Sequence, residues 1–273
     1  MLLPTIDLAG RAVTRLIVGG NPFSGNSHTS PELDWEMARY FSQERILHTL
    51  AECERCGINA LQARGDAHIM RTYLEHRERG GGLQWIAQTA SEMADLRRNA
   101  ALIARFGAMA IYHHGSATDH LWQAGRKGEI ADRLKLIHDT GLPTGLGTHL
   151  PEVVAYSQEQ GWEVDFYLCC FYGLSRQEKA FPTLGQDTGS ERFAASDPEA
   201  MTRVMRAVPQ PCLGFKILAA GRRCGSSREV AEAFRYAFAH TKPTDALVVG
   251  MFPKHSAQVA ENAAIVRELL GAG

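Results

Sequence analysis

The residues of this chain that could do chemistry stand at the ends of short apolar runs. His113 and His114 follow Ala108-Met-Ala-Ile-Tyr112, and His149 closes the run that begins Thr144-Gly-Leu-Gly147. An imidazole titrates near neutral pH, so at such a place it can carry a proton to or from a substrate oxygen. Arg64 can fix an oxygen or a carboxylate by a paired hydrogen bond. Asp66 can orient a histidine or take a proton itself, and Gln62 adds a further polar group at the same strand end. Together they point to acid–base chemistry on a small, sugar- or polyol-like carbonyl or hydroxyl compound.

Two other chemistries compete for the same residues. His113 or His114, His149, and Cys169 or Cys170 offer three nitrogen and sulfur ligands on adjacent strand ends, a set that suits catalytic zinc. Side chains alternate along a strand, so only one of each neighbouring pair can point inward. Lys216 lies in Phe215-Lys-Ile-Leu-Ala-Ala-Gly221, apolar on both sides. A desolvated lysine can lose its proton and form a Schiff base with a carbonyl, which would make the protein a lyase or isomerase. A Lys paired with an acidic group, or facing a phosphate, is the plainer expectation for it.

Near the C-terminus, Ala246-Leu-Val-Val-Gly-Met-Phe-Pro-Lys-His-Ser-Ala-Gln-Val-Ala-Glu-Asn262 reads as strand, turn, and a helix opened by Ser256. Such a junction turns backbone N–H groups and Lys254 toward an anion or phosphate. Arg222 and Arg223 follow the seventh strand, another place where barrels bind phosphate.

These groups need elements to position them. Strand-like apolar runs at Leu16, Ile58, Leu83, Ala108, Thr144, Phe166, Leu213 and Ala246 alternate with helical patterns. Strands buried on both faces and separated by helices predict a parallel sheet. Eight such units predict a closed (β/α)8 TIM barrel of α/β class. An open doubly wound sheet is the alternative. Gly19-Gly20-Asn21-Pro22 argues against it, because Pro22 and the polar run after it do not open a helix on a dinucleotide turn. Ser42 is placed to cap a helix from Gln43, and Gly57, Gly107, Gly141 and Gly161 to end helices. The polar segments 21–40 and 181–197 fall at the C-terminal mouth, where lids and substrate loops form.

The chain has 273 residues, 45% of them hydrophobic, which suits one domain spanning 1–273. A net charge of -1 without a basic run speaks against nucleic-acid binding. No apolar run approaches the roughly 20 residues that span a bilayer. The first residues do not form a signal peptide, and six cysteines in a chain this long do not form a disulfide scaffold. A cytoplasmic protein with reduced thiols and a small-molecule substrate is expected, its oligomeric state open. Cys53 and Cys56 have redox spacing but lie late in a helix, away from the dipole end that would activate a thiolate.

Several segments, in order, resemble the aldo/keto reductase family. Gly10-Arg-Ala-Val-Thr-Arg-Leu-Ile-Val-Gly-Gly20 resembles its N-terminal hairpin and first strand. Cys56 to Gln62, Asp165 to Arg176 and Phe215 to Gly221 resemble its second, sixth and seventh strands. Val249 to Asn262 resembles the turn that grips its nucleotide cofactor. The resemblance implies a single barrel, NADP as cofactor, and Gly250, Lys254, Gln258 and Asn262 as cofactor-binding residues. The family's catalytic Asp, Tyr and Lys fall on Gln62, near Ala67 and on Thr89. Its His keeps its identity as His114, which makes His114 and Cys170 the inward members of their pairs. The positions that hold the nicotinamide amide fall on Gly147, Thr148 and Leu168. The expected function is therefore a divergent reductase-like enzyme with His114, His149, Lys216, Asp66, Arg64 and Gln62 as its catalytic set. A lyase or isomerase using histidine, Lys216 or a metal is the alternative. A catalytically silent nucleotide-binding protein that keeps Lys254, Gln258 and Asn262 is another.

Overall fold

The computed structural model describes residues 1–174 and 193–271; most of the predicted loop 181–197, including Gln186, lies outside the described residues. A hairpin of β1 (Thr5–Leu8) and β2 (Arg11–Thr14) precedes eight parallel strands. These are β3 (Leu16–Gly19), β4 (Ala60–Arg64), β5 (Gln84–Gln88), β6 (Ala110–His113), β7 (Thr144–Thr148), β8 (Phe166–Cys170), β9 (Cys212–Phe215) and β10 (Ala246–Gly250). They follow one another around a closed barrel, with β10 pairing back onto β3. The predicted barrel is therefore the observed one, and each apolar run supplied its strand.

Among the described residues, ten helices, α1 (Pro31–Tyr40), α2 (Gln43–Arg55), α3 (Ala67–Glu78), α4 (Leu96–Arg105), α5 (Gly115–Gln123), α6 (Lys127–His138), α7 (Pro151–Glu159), α8 (Asp197–Ala207), α9 (Ser227–His240) and α10 (Gln258–Leu270), accompany the strands. Ser42 accepts the Arg45 N–H at the start of α2, as expected. Gly57, Gly107, Gly141 and Gly161 all take positive φ just past helix ends, a conformation open to glycine at no steric cost. The segment 21–40 is not a plain loop. Asn21–Ser24 forms a 3-10 turn, and Ser30 caps α1 through the Leu33 N–H.

Strand alternation sorts the core into two layers. Ile17, Ala60, Ile86, Ala110, Tyr112, Phe166, Leu168, Leu213, Ala246 and Val248 form an inner cluster, joined by Ile6, Leu8 and Val13 of the hairpin. The hairpin thus belongs to the barrel's inner packing, and the opposite, C-terminal end is left for a site. Leu61, Trp85, Ile111, Leu146, Tyr167 and Leu247 point the other way, toward the helices.

Gly145 shows how tight the inner layer is. A Cβ there would stand 2.4 Å from Phe166 Cζ and 2.7 Å from Tyr112 Cβ. Gly145→Ala is expected to cost roughly 2–3 kcal/mol of stability, as overpacking does. Urea unfolding checks this, and an unchanged midpoint would contradict the packing described here.

Candidate active site

The alternation that turns Ala110 and Tyr112 inward carries on to His114, one residue past β6. His113 faces the opposite way. Its Nδ1 lies 2.7 Å from Thr118 Oγ1, and Thr118 Oγ1 in turn donates to the His114 carbonyl. His113 Nδ1 is therefore the donor. Arg133 Nη1 approaches its Nε2 at 3.5 Å. Burial, helped by Arg133, pushes the His113 imidazole down to about 3 from its ordinary value of 6.5.

The sign of the pH dependence follows. Between pH 6.5 and about 3 the unfolded chain holds a proton on His113 that the folded chain does not. The stabilisation is complete above pH 6.5 and is lost as pH falls through that window, by roughly 2 kcal/mol between pH 7 and pH 5. Urea unfolding at those two values is expected to show this loss, and His113→Gln to remove that share of it. An equal loss in both proteins would contradict a neutral buried His113.

His114 caps α5. Its Nδ1 accepts the Ala117 N–H at 3.3 Å, and its own N–H donates to Thr89 Oγ1 at 3.0 Å. A ring nitrogen that accepts a backbone N–H carries no proton, so neutral His114 bears its hydrogen on Nε2. Burial, with the charge of Arg64 and the neighbouring His113, His149 and His28, holds its pKa well below the usual histidine value. The helix N-terminus behind it acts in the same direction. His114 is thus a fixed neutral hydrogen-bond donor, not the titrating proton carrier that the sequence suggested. Thr89, where the resemblance places a lysine, is spent holding it.

His149, one residue past β7, pairs with a residue that sequence reading missed. Its Nδ1 lies 2.7 Å from Asp119 Oδ2. The same carboxylate accepts the His149 backbone N–H at 3.1 Å and the Thr148 hydroxyl. Asp119 is 1% exposed. A carboxylate already taking two donors makes Nδ1 a third donor, which leaves Nε2 as the ring nitrogen that can exchange a proton. The His149 ring packs edge-on against Phe215, 5.5 Å between centroids. This is the arrangement of a general base oriented by a buried acid.

Both rings line a pocket at the mouth, together with Asn21, Asn26, Gln62, Arg64, Gln88, Tyr112 and Lys216. Gln62 Nε2 donates to Tyr112 Oη at 2.7 Å, which leaves the phenol's own hydrogen to be given elsewhere. Burial raises the Tyr112 pKa well above its ordinary value, against the opposing pull of Arg64, so it stays a protonated donor. Tyr112 was counted only as a strand residue. Its parity with His114 was the signal that could have placed it in the site.

Other candidates are placed differently. Arg64 is neutralised by Glu92, which takes its Nε at 3.1 Å and an Nη, and its Nη2 also reaches Ser91. Asp66 caps α3 through the Ile69 N–H at 2.9 Å, with Arg64 Nε 3.9 Å away. It orients the helix, not a histidine. Cys170 is buried in the main core and lines neither cavity of the mouth. Among the described residues no three His, Cys, Asp or Glu side chains converge as metal ligands, so the zinc set His114, His149 and Cys170 does not form. Lys216 is half-buried at the lip, just past β9, with φ 60°.

A second cavity of about 530 Å³ opens beside the first and shares Asn21, Asn26, His28, Gln62, Phe215 and Lys216 with it. It runs over β9, β10 and β3 to the first turns of α10. There Gln258, Glu261, Asn262 and Ile265 line it from one helix face, and Gly250 from the strand end. Asn262 is 6% exposed, and its carboxamide has no hydrogen-bond partner among the described residues. Gln258 Oε1 accepts the Phe252 N–H at 2.7 Å. Two expectations for this end fail. Helix α10 starts at Gln258 with Ala257 at its cap, and Ser256 Oγ donates instead to Glu261. Lys254 lies outside the lining and pairs with Glu36 at 2.5 Å, beside His255 Nε2 at 2.9 Å from the same oxygen. Of the positions the resemblance assigns to a nicotinamide amide, Gly147 and Leu168 offer no polar side chain. Thr148 is turned to Asp119.

No family model matches the chain. No curated protein matches it either. Solved structures do. An aldo-keto reductase from Bacillus halodurans, in holo form, is 12% identical, with 97% of this chain and 91% of that one covered at a TM-score of 0.60. A truncated 3-deoxy-D-arabino-heptulosonate 7-phosphate synthase from Thermotoga maritima is 13% identical, with 99% and 92% covered at 0.55. An orotidine 5'-monophosphate decarboxylase from Methanocaldococcus jannaschii is 15% identical, with 84% and 94% covered at 0.50. Reductases are thus among several kinds of barrel enzyme that the chain resembles, and likeness at this identity shows the barrel alone. No helix among the described residues is long and apolar enough to cross a membrane.

Proposed function

We propose that this protein is an enzyme interconverting hydroxyl and carbonyl groups of a small polyhydroxylated compound at the barrel mouth, with a nicotinamide nucleotide in the adjoining cleft. One observation carries the reading. Two imidazoles on neighbouring strand ends are held in opposite senses, His114 accepting a backbone N–H through Nδ1 and His149 giving its Nδ1–H to a buried carboxylate. A reaction that needs a donor on one oxygen and a base for one proton finds both there.

The side chains divide the work. His149 Nε2 takes the proton of the substrate hydroxyl, and Asp119 stabilises the imidazolium that forms. His114 Nε2–H and the Tyr112 hydroxyl donate to the oxygen that gains or keeps negative charge. In the reverse direction the imidazolium of His149 returns its proton. Asn21, Asn26, Gln62 and Gln88 give the mouth carboxamides suited to hydroxyl groups. Arg64 is already neutralised by Glu92, which favours an uncharged polyol over an anion. The cleft suits a nucleotide in its size, its continuity with the mouth and the unpartnered Asn262. Lys216 lines both cavities where they meet. A bound nicotinamide supplies or accepts the hydride.

A panel of polyols, sugars and aldehydes with NAD(H) and NADP(H), followed at the nicotinamide absorbance, tests the reading. Turnover that survives His149→Asn unchanged would overturn it. The dyad also favours a second reading, an isomerase in which His149 removes a proton beside a carbonyl while His114 donates to the enolate oxygen. Exchange of substrate carbon-bound hydrogen with solvent deuterium, without any nucleotide, would select that reading.

A further inference from the structure

The adjoining cleft has its own chemistry at the end far from the histidines, and that chemistry bears on which nucleotide it takes. Gln258, Glu261, Asn262 and Ile265 are spaced i, i+3, i+4 and i+7, which puts them on one face of α10, and all four line the cavity. Glu261 brings a carboxylate whose Oε2 accepts the Ser256 hydroxyl at 3.2 Å. Asn262 brings a buried carboxamide without a protein partner among the described residues. Such a pair matches a vicinal diol. A carboxylate accepts from hydroxyls, and a carboxamide both donates and accepts.

The same end repels a phosphate ester. The basic side chains of the preceding turn are withdrawn, with Lys254 Nζ and His255 Nε2 both on Glu36 Oε1 at 2.5 Å and 2.9 Å. Helix α10 lacks a side-chain cap, and its N-terminal dipole would favour an anion by about half a charge. Glu261 places a whole negative charge in that first turn and outweighs it. Leu218, Val230 and Ile265 supply apolar wall for a flat base beside this polar end.

We propose that the cleft selects a nucleotide whose terminal ribose has free 2'- and 3'-hydroxyls, so that the protein binds NAD(H) in preference to NADP(H). Glu261 is the discriminating residue and Asn262 the shared ribose contact. This rests on the cofactor reading of the cleft given above, and it reverses the NADP that the resemblance implied.

Titration of the purified protein with NADH and with NADPH, by calorimetry and by quenching of intrinsic fluorescence, tests it without any turnover. NADH is expected to bind about tenfold or more tightly than NADPH. Glu261→Gln is expected to bring the two within about threefold, mainly by tightening NADPH, because charge repulsion is removed while hydrogen bonding is kept. Asn262→Ala is expected to weaken both alike. The melting temperature of each variant shows whether it is folded. NADPH binding as tightly as NADH, or a preference unmoved by Glu261→Gln, would overturn the proposal and leave the cofactor reading standing. Binding of neither at millimolar concentration would remove both and leave the isomerase.

Discussion

Asp119→Asn is expected to lower kcat by about 10³-fold while leaving the fold intact, because it reverses the tautomer of the base rather than removing it. An Asn facing Nδ1 can offer its NH₂ group. The imidazole then keeps its proton on Nε2 and has no lone pair for the substrate. His149→Asn should cost as much, and the double variant little more than either single one, because the two residues act as a unit. Asp119 also accepts from Thr148 and from the His149 backbone. A modest fall in melting temperature is therefore expected with the loss of activity. A variant that keeps most of its kcat would remove Asp119 from the mechanism.

The second large effect is on His114. His114→Phe keeps the ring's bulk but loses both the N–H toward the pocket and the cap on α5. The first loss should lower kcat by about 10²–10³-fold with a smaller change in KM, as when one donor to a developing oxyanion is removed. The second should cost about 1 kcal/mol of stability. His114→Gln, which restores an N–H donor, should recover part of kcat. Equal kcat in the Phe and Gln variants would show that His114 only caps the helix.

Most of the barrel was legible because strands buried on both faces are short, apolar and followed by helical patterns. Leu16 to Gly19 and Ala246 to Gly250 close the sheet as two such runs. His114 was legible through the resemblance, and its parity with Ala110 and Tyr112 agrees with it. Asp119 was not. It lies in the helical run after β6 and meets His149 thirty positions further on, a pairing that only the curvature of the barrel creates. The capture of Lys254 by Glu36 spans 218 positions and was equally hidden, so an exposed cation in a turn looked like an anion grip. Asp66 was read as an acid when its spacing ahead of Ile69 already suited a helix cap. The sequence showed several of the residues that reach the mouth, among them Gln62, Arg64, His114, His149 and Lys216. Which of them were already committed to helix caps and ion pairs depended on tertiary contacts.

The protonation sites of the two histidines are most directly read by long-range ¹H–¹⁵N correlation of the imidazole rings at neutral pH, assigned with His114→Gln and His149→Asn. The expected spectrum shows His114 neutral with its proton on Nε2, and His149 with a proton on Nδ1. A positively charged His114, or a His149 without a proton on Nδ1, would contradict the account.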